Sequence, residues 1–200
     1  MAASIKPIAD VPKPPKSDAL RANLLETTVD KVDIPADHQL LLTVVERYAG
    51  IRKGLINLLL EMNHPYRNWP LILGDLRHFV LNRSNMALFI NHPQGPACIR
   101  LFGRMFLRAV SESQDDSGRH EALEGLSDFL KATADKLKPE QLPAFGSAFS
   151  DLFHTISDFP QERLLLLSQC HQPVKSTVLI LLRKARTMGE DQPFPVEPDA

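Results

Sequence analysis

Apolar residues in this chain recur at helical spacing between proline-marked breaks, a pattern that leaves little room for anything except helix. Leu41, Val44, Tyr48, Ile51, Leu55, Leu58 and Met62 step by three and four without interruption. They predict one helix over about 35–62, with Pro35 in its first turn. Gly50 and Gly54 fall inside it, costing helix propensity but permitting a close crossing by another helix. Asn63-His64-Pro65 ends that helix. Trp69-Pro70 opens the next, with Leu71, Ile72, Leu76, Phe79 and Val80 facing inward, and the run Asn91 to Pro96 is a second hard break. Further helices are predicted over about 97–113 and 119–137, from Pro139 or Pro143 through Ile156, from Asp158 to Gln169, and from Pro173 to Met188. Strands have no support, because β-branched runs are few and no turn dipeptide separates alternating segments. The expected fold is all-α, an irregular bundle of about seven or eight helices without a fixed-period repeat.

The ends differ from the middle. Residues 1–16 carry four prolines and three lysines, and residues 189–200 carry three prolines and four acids. Such segments bury too little apolar surface to offset the entropy of ordering. They read as a disordered arm and a disordered acidic tail around a single helical domain over 17–188, with Ser17 capping a short helix from Asp18 to Val29.

Several function classes fall away. A net charge of -1 gives no global pull toward nucleic acid or an anionic membrane. The most apolar stretch, Leu164–Leu182, is interrupted by polar residues and Pro173, which argues against a membrane span. The start of the chain shows no apolar core of a secretory signal, so a cytoplasmic location is expected. Cys98 and Cys170 sit in apolar helical contexts and read as buried thiols. The seven histidines form no metal-ligand spacing, so neither a metal nor a cofactor is expected. No nucleophile motif and no phosphate-cradling glycine loop occurs, so these 200 residues hold no catalytic motif.

Charge is the informative remainder. From Asn63 to Arg108 there are six arginines, no lysine and a single acid, Asp75; from Val110 to Glu162 eleven acids face four basic residues. An arginine zone of this kind either binds an external anion or neutralises the acidic half of its own fold. Arg100, Arg104 and Arg108 share one helix face at i, i+4 and i+8, each with a planar fork suited to carboxylate or phosphate. The segment Asn63-His64-Pro65-Tyr66-Arg67-Asn68-Trp69 supports two readings. His64 and Arg67 contact an anion with Trp69 as a platform, or the segment is a rigid corner stapled by Trp69. At least one of the three helical arginines is expected to pair internally, with Arg67 and Arg100 staying free.

The pieces LRANLLE (20–26), NHPYRNW (63–69) and NHPQGP (91–96), in that order, resemble a helical segment of large bacterial proteins related to phosphoenolpyruvate synthase and pyruvate phosphate dikinase. That resemblance implies an accessory helical domain or a free-standing relative of one, since the catalytic domains of that family are absent from these residues. The expected function is therefore a non-catalytic interaction or regulatory domain. Its partner would be another protein or domain, or a small anionic ligand, with no nucleic acid and no membrane. The alternative is an oligomerisation module that uses the seam of residues 41–62, which leaves the oligomeric state open.

Overall fold

The computed structural model describes residues 34–157, 176–181 and 183–187. The arm over 1–16, the helices from Asp18 and from Asp158, and the tail over 189–200 lie outside the described residues. In chain order the described helices are α1 (Ala36–Val44), α2 (Ala49–Asn63), α3 (Trp69–Leu81), α4 (Arg83–Ile90), α5 (Gly95–Glu112), α6 (Asp116–Ala134) and α7 (Leu142–Ser157). A 3-10 turn, Pro139–Gln141, precedes α7, and residues 176–181 and 183–187 are also helical. No strand occurs among the described residues, so the all-α class holds.

Helix α5 is the centre. Its buried face (Cys98, Ile99, Phe102, Met105 and Phe106 among others) packs chiefly against α6 and α7, with α4, α3 and α1 around it. Phe102 anchors an aromatic cluster: Phe89 meets it edge-on with ring centroids 5.0 Å apart, and Phe79 and Phe129 lie at 5.9 and 6.2 Å. Two glycines make this packing possible. A Cβ on Gly103 would sit 2.6 Å from a Leu152 methyl, and one on Gly125 would sit 2.6 Å from the Phe106 ring. A methyl at either Cα would force the Leu152 side chain or the Phe106 ring to shift.

The long first helix is not continuous. It breaks over residues 45–48, where Val45 is fully buried and Tyr48 is 47% exposed. The run Thr43-Val44-Val45 is β-branched and Gly50 follows closely, so local helix preference is weak there and burial of Leu41, Leu42 and Val45 decides the direction. Leu41, Leu55, Leu58 and Met62 of the seam are buried in the chain's own core, while Val44 and Ile51 are half-buried against it. A continuous stripe for a second chain is thereby lost. Gly50 and Gly54 meet nothing within 4 Å, so the crossing expected there is absent among the described residues.

Two further differences follow from capping and phase. The helix opening at Trp69 stops at Leu81, because Asn82 takes an extended conformation and its Oδ1 accepts from the N–H groups of Ser84 and Asn85, starting α4. Leu71, expected inward, is 45% exposed. It lies five residues before Leu76 and falls off the face that Ile72, Leu76, Phe79 and Val80 bury.

Glycine in an open helical position costs roughly 0.5–1 kcal/mol relative to alanine, and truncating a fully buried leucine costs roughly 2–5 kcal/mol. Gly50→Ala and Gly54→Ala should each raise stability by about the first amount, while Leu55→Ala should lower it by about the second. Chemical denaturation of the three variants checks both signs; a destabilising Gly54→Ala would mean that this face is covered.

Candidate functional site

The basic zone of the sequence folds back on the acidic zone. Arg77 on α3 donates to Asp128 Oδ2 on α6 at 2.6 Å. Arg104 on α5 grips Asp151 on α7 through two parallel hydrogen bonds, Nε to Oδ2 at 3.0 Å and a terminal nitrogen to Oδ1 at 2.7 Å. Glu112, at the end of α5, accepts from Arg67 at 2.5 Å and from Arg108 at 2.8 Å. One carboxylate thus ties the corner after α2 to the last turn of α5. Arg108 also donates to Asn63 Oδ1 at 3.1 Å, and Arg67 to the His64 carbonyl at 3.2 Å.

These pairs divide the candidate residues. His64, Arg67, Trp69 and Arg108 gather at one corner, whereas Arg104 and Arg100 lie progressively further toward the start of α5. Arg67, expected free, is paired, because the end of α5 brings Glu112 across from α2. Trp69 cannot serve as an open platform: it is 7% exposed, with the Arg108 guanidinium carbon 5.9 Å from its ring centroid. The rigid-corner geometry accounts for it. Asn68 caps α3 there through the Leu71 N–H, and His64 Nδ1 accepts from the Tyr66 N–H at 3.1 Å. Arg100 is the exception among the three helical arginines. Its Nε is buried and has no hydrogen-bond partner among the described residues. It lines a cleft of about 290 Å³ with Pro93, Gln94, Pro96, Ser147 and Ala148, where the start of α5 meets α7. Gln94 precedes α5 without making a side-chain cap bond.

Two further groups bear on the corner. Glu112 is signalled in the sequence only by its i, i+4 spacing from Arg108, which is silent about Arg67. Burial pushes its carboxyl upward, but the hydrogen bonds and charges of Arg108 and Arg67 prevail and hold it below the ordinary 4.5. His38 on α1 has a buried Nδ1 without a hydrogen-bond partner among the described residues. Burial first, then the Arg108 charge, hold its imidazole below the ordinary 6.5 against the opposing pull of Asp37. No local pattern signals His38, because its neighbour is seventy residues away in sequence. Cys98 is a buried thiol, pushed by burial up to about 12; Cys170 lies outside the described residues. Lys136 is lowered by burial and by Arg83, and its ammonium donates to the Arg83 carbonyl at 3.1 Å.

Among the described residues no three of His, Cys, Asp and Glu gather as a metal site, and no helix is long and apolar enough to cross a membrane. Compared with known proteins, the chain matches no family pattern, no characterised sequence and no solved structure. The arrangement of its own residues therefore carries the functional reading.

His38 and Glu112 both bind protons more tightly in the unfolded chain, so both make stability fall on acidification. The His38 contribution should fade as the pH drops below about 6.5, and the Glu112 contribution as it drops below about 4.5. Thermal midpoints measured against pH should lose the upper step in His38→Gln and the lower step in Glu112→Gln. Glu112→Gln should also be less stable at neutral pH, because two arginines lose their shared carboxylate. A wild-type midpoint flat between pH 7 and 5 would refute the placement of His38.

Proposed function

We propose that the domain is a non-catalytic regulatory or interaction module that takes up an anionic group in the Arg100 cleft. One observation carries this reading: a guanidinium of the basic zone is held in a concave site with its Nε–H hidden and no acceptor among the described residues. Leaving a buried donor unmet costs roughly 1–3 kcal/mol, more for a charged group, and a carboxylate or phosphate oxygen would relieve that cost. The first turn of α5 adds the positive end of a helix dipole to the same cleft, and Ser147 adds a hydroxyl. Arg67, Arg104 and Arg108 already hold carboxylates and are poorer anion receptors. The resemblance to phosphoenolpyruvate synthase-related proteins makes phosphoenolpyruvate and pyruvate the first organic anions to try. The seam offers less to a second chain, because Leu41, Leu55, Leu58 and Met62 are buried in the chain's own core.

A ligand bound only by the folded state raises stability, by about 2.7 kcal/mol at a hundredfold excess over Kd. Thermal shifts of the full chain with sulfate, phosphate, phosphoenolpyruvate and pyruvate test the reading. At least one of these anions should raise the wild-type midpoint and lose that effect in Arg100→Gln, while keeping it in Arg104→Ala. Absence of any shift, or a shift that survives Arg100→Gln, removes the cleft as the receptor.

A further inference from the structure

We propose that a second cleft, at the corner where residues 65–70 face the α5–α6 connection, binds a free α-amino acid. This site is independent of Arg100. The cleft holds about 560 Å³, within the size range of small-molecule sites. One wall carries Pro65, Arg67, Trp69 and Pro70; the other carries Glu112, Ser113, Gln114, Asp115 and Gly118, where the 19-residue α6 begins. Ser113 points to a ligand. It is 6% exposed, and its hydroxyl has no hydrogen-bond partner among the described residues. It stands against Gly118 in the cleft wall, since a Cβ added to Gly118 would lie 3.1 Å from the Ser113 Oγ. Buried hydroxyls are rarely left unmet, and this one sits beside the positive end of a helix.

The other donors and acceptors narrow the ligand. Both Glu112 oxygens are taken by Arg67 and Arg108. Asp115 spends Oδ1 on the Gly118 N–H at 2.7 Å and keeps its second oxygen. Arg67 uses one N–H on Glu112 and one on the His64 carbonyl, so three of the five donors that a guanidinium carries remain among the described residues. A simple anion would face two carboxylates against one guanidinium on the lining. A simple cation would meet Arg67 and leave the Ser113 hydroxyl and the start of α6 unanswered. An apolar molecule would strand all of these groups. A zwitterion satisfies both signs. Its carboxylate accepts from Ser113, Arg67 and the first turn of α6, its ammonium donates to Asp115, and Pro65 and Pro70 offer an apolar wall to its side chain.

Calorimetric titration of the full chain with each genetically encoded amino acid, beside acetate and methylamine, tests the proposal. At least one amino acid should bind, while acetate and methylamine alone should not. Ser113→Ala and Asp115→Asn should each weaken that binding about tenfold or more, the loss of one charge-assisted hydrogen bond. The free variants should keep their thermal midpoints, because asparagine caps a helix as well as aspartate and Ser113→Ala deletes only an unmet hydroxyl. Arg100→Gln should leave the binding unchanged, which separates this site from the anion cleft. The proposal is overturned if no amino acid binds, if acetate binds as well as the amino acid does, or if Ser113→Ala leaves the affinity unaltered. A lowered midpoint for ligand-free Ser113→Ala would also overturn it, by showing the hydroxyl already satisfied.

Discussion

Helix α5 must serve two environments at once, and the rest of the described fold follows from that constraint. One face buries Phe102 and Phe106 among α3, α4, α6 and α7, and the other carries arginines. The apolar face sets the close approaches, which is why glycine stands at 103 and 125 and why Phe129 meets Phe102 edge-on and stacks on Phe106. An added methyl at either point would have to displace Leu152 or the Phe106 ring. On the polar face, a carboxylate from α7 meets Arg104 with two bonds rather than one.

The charge asymmetry of the chain is thus largely a feature of assembly. Arg67, Arg77, Arg104 and Arg108 each find an acid on the far side of the sequence divide. Partly exposed pairs of this kind contribute little to stability singly, commonly under about 1 kcal/mol. The Glu112 junction differs because one carboxylate serves two guanidiniums, one of them lying over the Trp69 ring. Removing that carboxylate leaves two like charges facing each other, so the corner is electrostatically coupled in a way that Arg77–Asp128 is not. Pairing also isolates what remains. With its neighbours satisfied, Arg100 Nε in one cleft and Ser113 Oγ in another are left without a hydrogen-bond partner among the described residues, and the two proposed sites rest on those groups rather than on the arginine stripe as a whole.

Much of the fold was legible in the sequence because proline breaks and helical spacing are local signals. Helices from Trp69, over 95–112 and from Pro139 stand close to where the spacing put them, and Leu55, Leu58 and Met62 are buried as the seam implied. The break at 45–48 depends on which of two locally acceptable conformations buries more surface, whereas the cap at Asn82 and the outward turn of Leu71 follow from capping and helical phase, which the broad apolar pattern hides. In the site, the same spacing that put Arg100, Arg104 and Arg108 on one face was silent about what each would meet.

By itself the sequence determined the all-α class, the main helix boundaries marked by proline, the apolar stripes, and the division of charge into a basic stretch and an acidic one. These are properties of neighbours a few residues apart, and backbone sterics and side-chain period suffice to read them. Only the tertiary structure decided that Arg67 shares Glu112 with Arg108, that Trp69 is covered, that the Arg108 charge acts on His38, and that Arg100 Nε and Ser113 Oγ find no hydrogen-bond partner among the described residues. Those outcomes join residues as many as seventy positions apart, and such distances are set by how helices pack, which no local pattern encodes.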